Sequence, residues 1–102
     1  MLIHLLHKKW RIVVRSDKVH SEKFPNTHAV VILEDRKVYI RKSSLNTETI
    51  IHELIHCMVH ELSFTELQLD DDQVEEFYCE LFAKYGRNLI QIAESIVKHY
   101  KK

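Results

Sequence analysis

The chain has 102 residues, among them eight histidines but one glycine and one proline. That length supports a single domain spanning residues 1–102, and a 45% hydrophobic fraction with 29% charged residues marks a chain that folds into a small globular core. Fifteen basic residues balance fifteen acidic ones, which argues against nucleic acid as a partner.

Met1–Leu6 is apolar, but Lys8, Lys9 and Arg11 follow it instead of preceding it, the wrong order for a signal peptide. No apolar stretch approaches the roughly 20 residues of a membrane-spanning helix, so no membrane partner is expected. Trp10–Arg15 is rich in β-branched and aromatic residues and reads as a strand. Ser16–Thr27 is polar, holds Pro25, and is expected to be a long loop that partly covers a substrate cleft. His28–Leu33 and Val38–Arg41 flank the polar turn Glu34–Lys37 and predict a β-hairpin. The sheet should therefore hold about three strands.

The second half is helical. Asn46 can cap a helix, with Leu45 and Ile50 as its hydrophobic staple, and the helix should run from Thr47 to Leu62. Leu67–Asp70 leads into Asp70-Asp71-Asp72, whose carboxylates suit the positive start of a next helix. That helix is expected from Asp72 to Tyr85, ending at Gly86, with a last helix from Asn88 to Tyr100 whose negative end Lys98, His99, Lys101 and Lys102 complement. Since Gly86 is alone, neither a P-loop nor a dinucleotide fingerprint exists. Cys57 and Cys79 make no disulfide framework, which points to the cytoplasm. Small buried side chains are their expected role; a bridge between helices or a thiolate on a metal is the sharper alternative.

His52-Glu53-Leu54-Ile55-His56 carries the chemistry. Residues four apart share a helix face, so the two imidazoles can hold one Zn²⁺, and Glu53 lies within about a third of a turn of each. Ile50, Ile51, Leu54, Ile55, Met58, Val59 and Leu62 occupy one arc of this helix; His52, Glu53, His56 and His60 occupy the opposite one. Zinc in a catalytic site takes a third protein ligand and keeps a position open. A metzincin would place glycine and a third histidine after His56, and Cys57–Leu62 does not. His60, one turn on, suits a supporting role, a substrate contact or the surface, because three ligands along a straight helix converge poorly on one ion. Glu76 and Glu80, four apart among Phe77, Tyr78, Leu81 and Phe82, supply the better candidates: Glu76 as ligand, Glu80 accepting the spare N–H of a ligand histidine.

In these residues the chain resembles the gluzincins, the thermolysin-like zinc peptidases. There the H-E-x-x-H helix is followed by a helix carrying the glutamate ligand, with an acidic residue four positions later. The size, with a small sheet before the helices, looks like the reduced metallopeptidases of phages and mobile elements, with the peptidases that cleave immunity repressors as larger relatives. The likeness covers Val38 to Phe82. The asparagine that precedes the ligand in that motif is Glu75 here, which makes Glu75 a rival to Glu76, and the small residue after the second histidine is Cys57.

The resemblance implies an α+β, minimal zincin-like fold and a zinc-dependent peptidase with one Zn²⁺ per chain. Its metal would sit on His52, His56 and Glu76, its general base would be Glu53, and its substrate a peptide or protein. Tyr39, His60, Tyr78, Arg87 and His99 are candidate donors to the oxyanion, and strand Val38–Arg41 is a candidate edge for an extended substrate. A monomer or weak dimer is expected. The competing expectation is a zinc-stabilised protein-binding module without turnover. His4, His7, His20, His28 and His99 are read as incidental.

Overall fold

The computed structural model describes residues 1–62 and 70–101. Its elements are β1 (Leu2–Leu5), β2 (Lys8–Arg15), α1 (Asp17–Lys23), β3 (Ala29–Ile32), β4 (Lys37–Arg41), a 3-10 turn (Lys42–Ser44), α2 (Thr47–Glu61) and α3 (Asp71–Tyr100). Among the described residues the strands form one mixed sheet in the order β1-β2-β4-β3. Here β4 runs parallel to β2, and the β3–β4 hairpin is antiparallel, as expected. The fold is α+β, with one strand more than the sequence suggested.

Strand alternation sorts the side chains onto two faces. Ile3, Leu5, Trp10, Ile12, Val38 and Ile40 are buried in one cluster with Ile50, Leu54, Cys57 and Met58 of α2 and Leu81, Leu89, Ala93 and Ile96 of α3. Each large side chain taken fully out of water here contributes roughly 1.5–3 kcal/mol. Tyr39 points to the other face, where Phe24 beside α1 stacks on it at 5.3 Å between ring centroids. Ser16–Thr27 is thus not an open loop. It carries α1, capped by the Ser16 hydroxyl, and packs on the face opposite α2, so it does not roof the α2 histidines.

The additional strand, β1, is joined to β2 through Leu6 and His7, both at positive φ (49° and 68°). Such a turn is normally written with Asn and Gly. Here Leu6 packs against the core, and ladder and burial together override the local preference.

The two expected C-terminal helices are one 30-residue helix. Gly86 does not end it: the residue is buried in helical backbone without positive φ. Interior glycine costs a helix about 1 kcal/mol, and the apolar stripe that continues from Leu81 through Tyr85, Leu89, Ala93 and Ile96 outweighs that. The start follows the expectation. The Asp70 carboxylate accepts from the Gln73 amide at 2.8 Å, and the Gln73 side chain accepts from Asp70 N–H at 3.0 Å, a full capping box. Residues 67–69 of the lead-in lie outside the described residues. At its other end α3 is held by the Tyr100 hydroxyl, which donates to the Ile12 carbonyl at 2.7 Å.

Candidate metal centre

The element that matters is α2. Asn46 caps it, its Oδ1 accepting from the Thr49 amide at 2.8 Å, and Leu45 and Ile50 are both buried in the core. At the far end, Glu61 accepts from the Trp10 indole at 3.1 Å and from Arg36 Nε at 2.6 Å. One end is thus fixed by its cap and the other by a polar lock to β2 and to the β3–β4 turn. With Ile50, Leu54, Cys57 and Met58 inward, 3.6 residues per turn put His52 and His56 outward, and both are exposed.

The two imidazoles meet. His52 Nε2 and His56 Nε2 stand 3.3 Å apart, with ring planes at 71°. Two nitrogens on a tetrahedral ion at roughly 2.0–2.1 Å are themselves separated by about 3.3–3.4 Å, so the pair has the bite of a zinc chelate. Glu53 is half-buried beside them. It lines, with His28, Glu48, Thr49 and His52, an open depression of about 280 Å³.

The remaining site candidates are dispersed. Among the described residues no three His, Cys, Asp or Glu side chains gather as a metal-holding group, so neither Glu76 nor Glu75 joins the pair. The physical reason is the rotation of α3. Its inward stripe runs through Phe77 and Leu81, which leaves Glu75, Glu76 and Glu80 exposed. His60 does not turn to the pair either; its ring meets Trp10 edge-on at 6.2 Å.

Cys57 is fully buried, and burial first, then the nearby Glu53 charge, pushes its thiol up to about 12, so it packs as a neutral small side chain. Cys79 is exposed, unlike the buried side chain expected of it, and both cysteines are free.

Two further expectations change. Val38–Arg41 is no free edge, because β4 pairs on both sides; the edges are β1 and β3, both against α2 and β3 the more extensively. His28, read as incidental, lines the depression at the start of β3, its Nδ1 2.9 Å from the hydroxyl of buried Ser44. No local motif marks His28; only the folding of the hairpin alongside α2 brings it there. His20, also read as incidental, is a fully buried histidine on the α1 face, bonded through Nε2 to Thr27 Oγ1 at 2.9 Å.

Comparison with family models, with curated proteins and with solved structures finds no match to this chain.

Proposed function

We propose that the chain is a zinc-dependent peptidase whose metal sits on His52 and His56, with Glu53 as general base. The observation that carries this is the 3.3 Å separation of the two Nε2 atoms on the polar face of a helix fixed at both ends. The gluzincin resemblance offers Glu76 as the third ligand, with Glu75 the rival and Glu80 and His60 in supporting roles; α3 as it stands brings none of these glutamates into a group with the pair, so filling the third position requires α3 to turn. Bound there, zinc supplies Lewis-acid chemistry: activation of water and polarisation of a carbonyl.

The chain's own groups do the rest. The Glu53 carboxylate faces the depression, where it takes a proton from the attacking water and returns it to the departing amine. The β3 edge beside the depression offers main-chain groups with which an extended peptide can pair. Exposure of the pair also favours turnover over a structural staple. His52 and His56 lie one turn apart on one helix, outside the core, so holding an ion ties no two elements together through them. A structural zinc site closes all four positions with protein ligands, whereas a catalytic one leaves one open.

The test compares zinc-loaded wild type with Glu53→Gln on a mixed peptide library read by mass spectrometry. Wild type should cleave and Glu53→Gln should not, while both retain about one zinc per chain. Equal product profiles from the two would reject the enzyme, and a chain that takes up no zinc would reject the site.

A further inference from the structure

Peptide hydrolysis builds negative charge on the carbonyl oxygen, and a fixed donor must meet it. None of the five donors suggested by the sequence lines the depression that holds His52 and Glu53. Tyr39 is buried under Phe24 on the opposite sheet face, and His60 is turned to Trp10. Tyr78, Arg87 and His99 are exposed along α3. Two other residues lining the depression carry a possible donor, Thr49 on α2 and His28 just before β3, and His28 is the one whose ring is held by a partner outside α2.

Its placement is constrained twice. The His28 carbonyl accepts from the Arg41 amide at 2.9 Å, which extends the β3–β4 ladder by one residue and fixes the backbone. The imidazole Nδ1 then pairs at 2.9 Å with the hydroxyl of Ser44, a residue 8% exposed in the turn that follows β4. When that hydroxyl donates to Nδ1, the ring proton is held on Nε2, the nitrogen left for a ligand.

We infer that His28 is a catalytic residue donating its Nε2–H to the oxyanion of the peptide substrate, and that Ser44 is the positioning residue that sets its tautomer. The inference rests on the peptidase reading above.

Two measurements test it. In the metal-free chain, ¹⁵N shifts of the His28 ring should report the Nε2–H tautomer, and Ser44→Ala should turn it into a mixture. A ring carrying its proton on Nδ1 in wild type would overturn the proposal whatever the kinetics. In the zinc-loaded chain, His28→Ala should lower kcat by about 10²-fold with little change in KM, the usual cost of a lost oxyanion donor. His28→Gln, which keeps an N–H, should recover part of it. His28→Ala should also weaken a phosphinic peptide, which mimics the tetrahedral state, far more than the matching uncleaved peptide bound to Glu53→Gln. If wild type cleaves, Glu53→Gln does not, and His28→Ala keeps the wild-type kcat, His28 is not the donor and the peptidase reading stands. If wild type cleaves nothing, both fall.

Discussion

Replacing Glu61 should show how firmly the helix bearing the histidine pair is anchored. The Glu61 side chain is 5% exposed and has two partners of unequal worth. Trp10 is fully buried, so an indole N–H that loses its acceptor at 3.1 Å is left without a protein partner, at a cost of roughly 1–3 kcal/mol. Arg36 is 37% exposed and re-solvates readily, so its ion pair contributes about 1 kcal/mol at most. Glu61→Ala should therefore destabilise by about 2–3 kcal/mol, and Glu61→Gln, which keeps a carbonyl oxygen for Trp10, by about 1 kcal/mol or less. In a domain of this size that is a fall in Tm of about 10–20 °C against one of about 2–8 °C, read by circular dichroism.

The pH dependence adds a control. Burial raises the Glu61 carboxyl, but the Arg36 bond and charge and the Trp10 bond together outweigh it and hold the group below its ordinary value. A carboxylate depressed in the folded state contributes stability above its unfolded pKa and loses it as pH falls through the folded one. Wild type should lose this increment on acidification and Glu61→Gln should not. Equal losses of Tm for Ala and Gln, or an Arg36→Ala loss as large as that of Glu61→Ala, would refute the assignment of the main cost to Trp10.

Zinc should raise the Tm of the wild type, by about 2.7 kcal/mol of stability at a hundredfold excess over Kd; His52→Ala and His56→Ala should each abolish the rise. Glu76→Ala should weaken zinc more than Glu75→Ala does in a chelator competition, and the reverse order would exchange ligand and rival. Burial, followed by the Arg41 and Arg15 charges, lowers His20, so the unfolded chain binds its proton first as pH falls. Stability should accordingly decline on acidification from the ordinary histidine range down to the folded pKa, a decline that denaturant titrations should find absent in His20→Gln.

The α2 region was legible because its signals are local and agree with one another. The Asn46 cap, the Leu45/Ile50 staple and the period that separates His52 and His56 from Leu54 and Met58 all reappear in three dimensions. Where the sequence misled, a long-range term had overruled a local one. Gly86 reads as a helix end, yet the core stripe on both sides of it carries the helix through. The position of His28 beside His52 is set by a hairpin folding against α2, a long-range arrangement for which no spacing rule exists. Glu76 is the instructive case, because four-residue spacing from Glu80 fixes that the two share a face, but not which way the face points. Phe77 and Leu81 decide that by packing inward.

Glycine usage exposes the same competition in a form that can be measured. Leu6, His7, Asn26 and Arg36 occupy left-handed backbone, while the single glycine lies inside a helix where none is required. A side chain in left-handed backbone costs roughly 1–2 kcal/mol, so His7→Gly, at an exposed turn position, should stabilise the chain by about 1 kcal/mol. Gly86→Ala tests the other side. Alanine gains about 1 kcal/mol of helix propensity, against a new Cβ lying 3.1 Å from Phe82 Cδ1. That atom belongs to a ring 45% exposed, which can swing into solvent, so propensity should win and Tm should rise by a few degrees. A helix that truly ended at residue 86 would respond in the opposite sense, because alanine would remove its terminator.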